Sequence, residues 1–325
     1  MVPGGLMRYV MIANPTAGRR DTARYAQRVH RLLKQGGADC TLEFTTQRGG
    51  AESLARRTLQ QHQAKHRADS RLCIVACGGD GTVQEVVNAI AHETRPSEPV
   101  AVSEQPPRPI LGLAPAGRCN DFASALGIGR DAQQVARVLL AGHARAVDLG
   151  RVDGRYFCTV AALGFDAAVS RYVNDMRLPL RGTIAYLYGA LRVLVSYRPA
   201  QVRIASNDAA FEGPLFLTAS ANTPSYGGQM RIAPQASPLD GLLDVCMVSA
   251  LSRWRVLRLI RHVIKGRHVG LPEVRMMRTP SLRIESAMRQ EIWADGEHIG
   301  QTPATIEVVP HAIEVLLPLA GHGRA

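Results

Sequence analysis

The sequence predicts a two-domain protein, with an α/β first domain built on a parallel sheet and a mainly antiparallel β-sandwich as the second domain. The chain has 325 residues, more than one hydrophobic core usually spans. Strand and helix patterns alternate in the first half, whereas short β-type runs recur after about Gly150. We therefore place the domains at 1–149 and 150–325. The last residues of the chain, about 15 in number, could pack back on the first domain.

In the first domain, β-rich runs predict strands, and apolar residues at helical spacing predict helices. The first helix shows the pattern, because Tyr25, Val29, Leu32 and Leu33 recur about one turn apart. Strands are predicted over 8–13, 40–45, 72–77, 110–114 and 146–149. Helices are predicted over 22–34, 51–63, 83–91 and 131–141, with a proline-rich loop over 95–109.

In the second domain, turn residues separate short β-type runs, as expected for an antiparallel sandwich. Strands are predicted over 156–161, 201–204, 215–219, 243–248, 281–285, 291–293, 305–309 and 313–317. Two stretches have helical spacing instead, 184–195 and 253–264.

Composition narrows the functional classes. The net charge of +12, supplied mostly by arginine, suits nucleic acid, an anionic membrane or a phosphorylated ligand. Aromatic residues make up only 5% and do not interleave with basic residues, which argues against nucleic acid. Six cysteines form no Cys-x-x-Cys pair, so we expect a reduced, cytoplasmic protein. No apolar stretch approaches the ~20 residues that span a bilayer.

The most informative motif is Gly78-Gly79-Asp80-Gly81-Thr82, which follows a predicted strand and opens a predicted helix. Glycines let the backbone come close to a phosphate, and a helix N-terminus favours an anion. A carboxylate within this loop makes sense if Mg²⁺ lies between it and the phosphate. The motif is neither a Walker loop nor a dinucleotide fingerprint. It therefore indicates a nucleotide-phosphate site, although a simple strand-to-helix turn stays open.

Four further motifs accompany this loop in a fixed order. They are Asn14-Pro15-Thr16-Ala17-Gly18, then Ala114-Pro115-Ala116-Gly117-Arg118-Cys119-Asn120-Asp121-Phe122-Ala123, then Ala233-Pro234-Gln235-Ala236 with Asp240-Gly241-Leu242-Leu243-Asp244-Val245, and finally Ala294-Asp295-Gly296-Glu297. Together the five motifs resemble the bacterial diacylglycerol kinase and lipid kinase family, which shares its catalytic domain with sphingosine and ceramide kinases. The resemblance runs from about Arg8 to Leu317, nearly the whole chain.

This resemblance implies an NAD kinase-like first domain that binds ATP, and it implies roles for individual residues. Asp80 and Asp295 would be catalytic, with Asp295 as the general base on the lipid hydroxyl. A structural Mg²⁺ would lie at Ser237, Asp240 and Leu242. The nucleotide-binding residues would be Asn14, Thr45, Gly78, Gly79, Asp80, Gly81, Thr82, Val83, Gln84, Gly117, Arg118, Asn120, Asp121 and Glu297.

The chain departs from the family pattern at Gly50, Gln84 and Gln229, and also within one of the five motifs. The family usually has Gly-Thr-Gly-Asn-Asp where this chain has Gly117-Arg118-Cys119-Asn120-Asp121. Arg118 could pair with ATP phosphates, or it could block the pocket and leave a weak or inactive kinase. Asp295-Gly296 also has a simpler interpretation, since Asp-Gly is a common hairpin turn.

The leading hypothesis is an ATP- and Mg²⁺-dependent kinase that phosphorylates a diacylglycerol-like lipid, peripheral to the inner face of the membrane. The alternatives are an NAD kinase-type enzyme and a catalytically weak lipid- or nucleotide-binding protein. We expect no nucleic-acid partner, and a homodimer stays open. The acceptor lipid is not predicted, because acyl-chain pockets consist of interchangeable apolar residues.

The predicted helix over 253–264 carries a basic face. Arg258, Arg261 and Lys265 recur at turn spacing and should share one side. The hypothesis is a docking face for an anionic membrane; a solvated basic face is the alternative.

Overall fold

The computed structural model describes residues 6–18, 21–65, 70–93, 108–175, 183–207, 209–228 and 230–319. The chain divides into two compact units. The first comprises Met1–Val147 and His311–Ala325, and the second comprises Asp148–Pro310. The predicted fold class is confirmed, because the strands of the first unit are parallel and those of the second are antiparallel.

The first unit is built on a parallel sheet. Its strands are β1 (Leu6–Ala13), β2 (Asp39–Phe44), β3 (Ser70–Gly78) and β4 (Ile110–Pro115), in the order β4-β3-β1-β2. Residues 72–78 of the central strand β3 are all buried, as expected where helices cover both faces of a parallel sheet. The end of the last strand of the chain pairs with β4, with Glu314 opposite Ile110.

Among the described residues, five helices accompany this sheet: α1 (Thr22–Gln35), α2 (Gly50–Lys65), α3 (Asp80–Glu93), α4 (Asp121–Ala125) and α5 (Ala132–Ala141). α1 packs beside α5, and α2 packs beside α3. Side-chain caps start two of the helices, since Asp21 accepts from the N–H of Arg24 and Asp131 accepts from the N–H groups of Gln133 and Gln134. Such caps satisfy N–H groups that the helix itself cannot pair.

The second unit contains a branched set of antiparallel strands. They are β5 (Ala144–Val152), β6 (Arg155–Phe157), β7 (Val160–Gly164), β8 (Ala200–Ala205), β9 (Ala210–Ala221), β10 (Leu243–Ser249), β11 (Val274–Thr279), β12 (Ser281–Ser286), β13 (Glu291–Ala294), β14 (Glu297–Gln301) and β15 (Ala304–Leu316). The long strand β9 pairs with β7, β8 and β10. β5 begins in the first unit, and β15 ends there.

In the part of the second unit that the structure describes, two hydrophobic cores stabilise the fold. The sandwich core includes Phe157, Val245 and Ile284. A second core lies where α6 (Phe165–Asp175), α7 (Thr183–Ser196) and α8 (Arg253–Ile264) cover the strands, and it includes Phe165, Phe216 and Val256. Phe165 stacks on Phe216 with ring centroids 4.7 Å apart.

Several elements differ from the sequence prediction. The strand predicted over 156–161 is interrupted at Cys158 and Thr159, between β6 and β7. The strands predicted over 305–309 and 313–317 form one strand, β15. The elements α4, α6, β11 and β14 were not predicted. Most of the predicted loop over 95–109 lies outside the described residues.

Candidate functional site

The carboxyl ends of β1, β3 and β4 are joined by main-chain hydrogen bonds. The N–H of Asn14 donates to the carbonyl of Cys77 at 2.9 Å, and the N–H groups of Ala116 and Gly117 both donate to the carbonyl of Gly78, at 2.8 and 3.0 Å. Three of the predicted motifs therefore meet at the edge of the sheet where ligands of α/β proteins usually bind.

Glycine is required where these loops touch. A Cβ on Gly117 would lie 2.3 Å from the Cα of Gly79, and one on Gly18, at φ +75°, would lie 2.2 Å from the carbonyl oxygen of Ala116. Both contacts involve backbone, which cannot move aside as a side chain can. A Cβ on Gly81 would meet no atom within 4 Å, so the loop is open on that side.

Asn120 holds the loop after β4 in shape. Its backbone is left-handed, with φ 58° and ψ 48°, a conformation that asparagine tolerates better than most residues. Its side chain accepts from the N–H of Gly117 at 2.8 Å and donates to the carbonyl of Gly117 at 3.1 Å. Its own N–H donates to Oδ2 of Asp80 at 2.8 Å.

Asp80 is the first residue of α3 and is partly buried. Burial raises the pKa of its carboxyl above the usual value, and N–H groups of Asn120, Phe122 and Asp121 oppose that shift. Its Oδ1 atom is buried and has no hydrogen-bond partner within the described part of the chain. A buried carboxylate oxygen without a partner is costly, so this oxygen fits a bound cation.

The residues after Asp80 turn inward. Thr82, Val83 and Gln84 are all at most 5% exposed, and the N–H of Val83 donates to the carbonyl of Gly79. The amide oxygen and nitrogen of Gln84 are buried without hydrogen-bond partners among the described residues. A nucleotide approaching the outside of this loop would therefore meet mainly its backbone.

The loop between Thr45 and α2 is held by a residue that the sequence did not indicate. Thr45 is buried, and its N–H donates to the carbonyl of Ala13 at 2.9 Å. The carboxylate of Glu85, on α3, accepts from the N–H groups of Gly49 at 3.1 Å and Ala51 at 2.8 Å. Glu85 therefore fixes the loop between Thr45 and α2.

The unusual pair Arg118-Cys119 occupies the turn before α4. Arg118 is exposed and forms no ion pair within the described ranges, while its carbonyl accepts from the guanidinium of Arg130. Cys119 is half-buried, and burial raises the pKa of its thiol to about 11. Asp121 is buried at the start of α4.

In the second unit, Asp295 forms a hairpin turn and also contacts the β6–β7 break. Asp295 and Gly296 have φ values of 51° and 85°, as in the two-residue turns that favour Asp-Gly. The Asp295 carboxylate accepts from the N–H of Cys158 at 2.7 Å and of Thr159 at 3.0 Å, and from the Thr159 hydroxyl. These three bonds fix the direction of the carboxylate. Glu297 follows the turn, 4.0 Å from the guanidinium of Arg155.

The buried side-chain amide of Asn222 stabilises the β6–β7 break. The Nδ2 of Asn222 donates to the carbonyls of Cys158 at 2.9 Å and Asp148 at 3.0 Å, and its N–H donates to the carbonyl of Thr159 at 2.8 Å. Asn222 therefore positions the loop that holds Asp295, a role that the sequence pattern did not reveal.

The predicted structural Mg²⁺ site contains an arginine. Oδ2 of Asp240 lies 2.5 Å from Nη2 of Arg278, and Oδ1 of Asp240 accepts from the N–H of Leu242 at 3.1 Å. The Nε of Arg278 lies 3.4 Å from Oδ2 of Asp244. Ser237, in the same segment, is half-buried. A metal ion here would have to share Asp240 with Arg278 or displace it.

The described residues contain no group of three or more His, Cys, Asp or Glu side chains placed to hold a metal ion. The Mg²⁺ site at Ser237, Asp240 and Leu242 would thus depend on carbonyl oxygens, and it stays a prediction. At Asp80, by contrast, the buried Oδ1 atom has no hydrogen-bond partner among the described residues.

One further carboxyl group, which is partly buried, was not indicated by the sequence pattern. Asp166 lies in the first turn of α6 and accepts a hydrogen bond from the Tyr226 hydroxyl. Burial raises its pKa to about 6. Nothing in the local sequence distinguishes this aspartate, because its partner lies 60 positions further along the chain.

Two family models match the chain. The model of the diacylglycerol kinase catalytic domain matches residues 8–152, and the model of the YegS C-terminal NAD kinase beta sandwich-like domain matches residues 159–317. A crystal structure of a diacylglycerol kinase from Bacillus anthracis str. Sterne superposes with a TM-score of 0.68 at 20% identity, over 96% of this chain and 97% of that chain. This likeness supports the fold.

Sequence relatives cover nearly the whole chain. The diacylglycerol kinase of Bacillus subtilis (strain 168) is 30% identical over 310 residues, 95% of each protein. That of Mycobacterium tuberculosis (strain ATCC 25618 / H37Rv) is 32% identical over 317 residues, again 95% of each. The resemblance carried by the five motifs is confirmed, and the chain belongs to the diacylglycerol kinase family of lipid kinases.

Proposed function

We propose that the protein transfers the γ-phosphoryl group of ATP, in the presence of Mg²⁺, to the hydroxyl of a diacylglycerol-like lipid at a membrane surface. The observation that carries the nucleotide half of this proposal is the environment of Asp80. Its buried Oδ1 lacks a partner in the described part of the chain, at the N-terminus of a helix and beside three interlocked glycine loops.

The glycine loops would bind the phosphates through their backbone. The loop is open beside Gly81, and a helix N-terminus there favours an anion. Asp80 would hold Mg²⁺ through Oδ1, and the bound ion would neutralise charge on the transferring phosphoryl group. Arg118 is exposed and unpaired within the described ranges, so its guanidinium is available for a phosphate oxygen.

Asp295 would take the proton of the lipid hydroxyl. As that oxygen forms a bond to the γ-phosphorus, the bond to the bridging oxygen of ADP breaks and ADP leaves. The proton passes to the Asp295 carboxylate, which the N–H groups of Cys158 and Thr159 hold in one orientation. A base held by backbone donors loses little entropy on reaching the reactive geometry.

The lipid substrate implies work at a bilayer surface. None of the helices in the described ranges is long and apolar enough to cross a membrane. The chain carries a net charge of +12, which would attract it to anionic lipid. We propose a peripheral association on this basis.

The test is transfer of label from γ-labelled ATP to diacylglycerol in mixed vesicles, with NAD as a second acceptor. We expect labelled lipid with Mg²⁺ and none with excess chelator. Labelling of NAD in preference to lipid would support the NAD kinase alternative. Binding of nucleotide without transfer to either acceptor would support the catalytically weak alternative.

A further inference from the structure

Helix α7 exposes an apolar face. Leu187, Leu191 and Val195 are 58%, 49% and 62% exposed, and their spacing of four residues places them on one side of the helix. The only charged residue within α7 is Arg192. The opposite side packs inward, with Tyr186, Ala190, Val193 and Leu194 against the core under the helices. A helix that is apolar on both sides is expected where a second apolar medium covers its outer face.

Close contacts fix α7 in place. A Cβ on Gly189 would lie 2.7 Å from Cγ2 of Val173 on α6, so glycine allows the two helices to approach. Just beyond α7, the hydroxyl of Tyr197 donates to the carbonyl of Phe216 at 3.0 Å. The outward face therefore belongs to a firmly packed helix.

The start of α8 adjoins the end of α7, because the Arg253 guanidinium donates to the carbonyl of Val195. The next residue, Trp254, is 83% exposed. Further along α8, Val256, Leu259 and Val263 are buried, and their spacing places them on one side of the helix.

The outer side of α8 is basic. Arg258, Arg261 and Lys265 are exposed, and none of them forms an ion pair with another described residue. Arg255 is partly neutralised instead, since its Nη1 lies 2.8 Å from the Glu273 carboxylate.

We propose that Leu187, Leu191, Val195 and Trp254 form an insertion face that enters the headgroup and acyl boundary of an anionic bilayer, with Arg258, Arg261 and Lys265 on anionic headgroups beside it. An apolar helical face with basic residues at its side is the pattern of helices that lie in a membrane interface, where tryptophan is also enriched. The inference rests on the proposed function, because a lipid substrate must be reached at a bilayer.

The basic residues of α8 favour an anionic membrane, rather than a second copy of the chain, as the partner of the insertion face. Two copies that met through this face about a two-fold axis would bring their α8 helices together. The unpaired cations of both copies would then repel each other. An anionic lipid surface supplies the opposite charge.

The first experiment measures partition into sedimented vesicles of phosphatidylglycerol and phosphatidylcholine. The variant Leu187→Ser/Leu191→Ser/Trp254→Ser should lose roughly 100-fold in partition coefficient, because it removes most of the apolar area of the face. The control is Met288→Ser, which is 71% exposed before β13 and outside the two helices, and it should bind as the wild type does.

The second experiment reverses charge. Arg258→Glu/Arg261→Glu/Lys265→Glu should weaken partition by about 100-fold at low salt, and the difference should shrink as ionic strength rises. The matched control is Arg145→Glu/Arg203→Glu/Arg289→Glu, three exposed arginines outside α7 and α8. This control lowers the net charge by the same amount. The logarithm of its partition coefficient should fall by less than a third as much as that of the α8 variant.

Activity on two forms of the substrate separates this proposal from the proposed function. On a short-chain diacylglycerol dissolved as monomers, both α7–α8 variants should match the wild type, while on long-chain diacylglycerol in vesicles they should lose activity with their binding. Wild-type inactivity on both forms would contradict the proposed function. Unchanged vesicle binding by the apolar variant would overturn the insertion face, and a dimer-to-monomer change in sedimentation equilibrium would then assign the face to a second copy.

Discussion

The main-chain N–H of Asn120 donates a 2.8 Å hydrogen bond to Oδ2 of Asp80. The bond joins the turn before α4 to the first residue of α3, although 40 positions separate the two residues. Asn120 can make it because its backbone is left-handed and its side chain is bonded to Gly117 on both its oxygen and its nitrogen. The loops after β3 and β4 therefore act as one structure that presents the free oxygen of Asp80.

Asp80→Asn removes the charge of the side chain and nearly keeps its shape. It should therefore separate the role of the charge in turnover from the role of the side chain in stability. The asparagine oxygen can still accept from Asn120, so we expect a thermal midpoint equal to that of the wild type or slightly above it, because a partly buried charge is removed. Turnover should fall by roughly 100-fold or more. Kinase activity at saturating Mg²⁺ and thermal unfolding, measured on one preparation, test both statements, and near wild-type turnover would contradict the role of Asp80.

Gly117→Ala should destabilise the first unit. The added Cβ would lie 2.3 Å from the Cα of Gly79 and 2.7 Å from Oδ1 of Asn120, so backbone would have to shift at a cost of about 1–3 kcal/mol. Gly81→Ala is the matched control, because its Cβ meets no atom within 4 Å and it should change stability by less than about 0.5 kcal/mol. Urea unfolding of both variants checks the contrast, and equal losses would show that the loops do not touch as described.

Asp295→Asn should remove turnover and leave ATP binding unchanged, because an amide cannot take the hydroxyl proton. The structure supplies a matched control in Asp153, which also begins a turn with positive φ, at 47°, before a glycine and is exposed. Asp153→Asn should be active. Nucleotide binding by calorimetry and turnover should be compared for both variants, and loss of ATP binding in Asp295→Asn with preserved turnover per bound ATP would refute a base role.

Strands β1, β3 and β4 were predictable because each contains a continuous buried apolar run, such as Leu72 to Cys77 in β3. The break between β6 and β7 was not predictable from the sequence. The residues around it have strand propensity, but Asp295 takes the N–H groups of Cys158 and Thr159 from 137 and 136 positions away. A contact at that distance leaves no local pattern.

In the candidate site, too, some residues belong to a local sequence motif and others depend on a contact with a distant part of the chain. Asp80 and the glycines were recognisable as a motif, because phosphate loops need those residue types in adjacent positions. Glu85 was not recognisable, since its carboxylate accepts from the N–H of Gly49, just before α2, and from the N–H of Ala51 in the first turn of α2. A single glutamate on a helix has no distinguishing pattern until the fold brings α2 and α3 together.

Asp166 should make stability depend on pH. Burial raises its pKa from 3.8 to about 6, so the folded state holds the proton more tightly than the unfolded chain. Stability from this group is present below about pH 4 and is lost as pH rises to about 6. Asp166→Asn should therefore gain up to about 3 kcal/mol relative to the wild type well above pH 6, and nothing below pH 4.

Urea unfolding from pH 4 to pH 8 tests this dependence. Asp175→Asn is the control, because its carboxylate lies at the end of α6 with a 71% exposed side chain and should show no such trend. A constant difference between Asp166→Asn and the wild type at every pH would show that Asp166 titrates normally.

The ion pairs of Arg278 should make the stability of the second unit less dependent on a bound metal ion. Its guanidinium pairs with Asp240 at 2.5 Å and with Asp244 at 3.4 Å, and the Asp244 side chain is only 4% exposed. In the absence of nucleotide, we expect a chelator to leave the thermal midpoint of the wild type unchanged. Arg278→Leu leaves two neighbouring carboxylates without a cation, so it should lose about 1–2 kcal/mol, reduced from the buried-pair value because Arg278 is 46% exposed.

Magnesium should then restore stability selectively. Adding Mg²⁺ should raise the midpoint of Arg278→Leu more than that of the wild type, because the ion can replace the lost guanidinium at Asp240. Arg283→Leu is the matched control, since Arg283 pairs with Glu285 where both side chains are about half exposed, and it should show neither the loss nor the rescue. A wild-type midpoint that falls by several degrees with chelator would instead show that a metal ion binds beside Arg278, as the resemblance to lipid kinases implies for Ser237, Asp240 and Leu242.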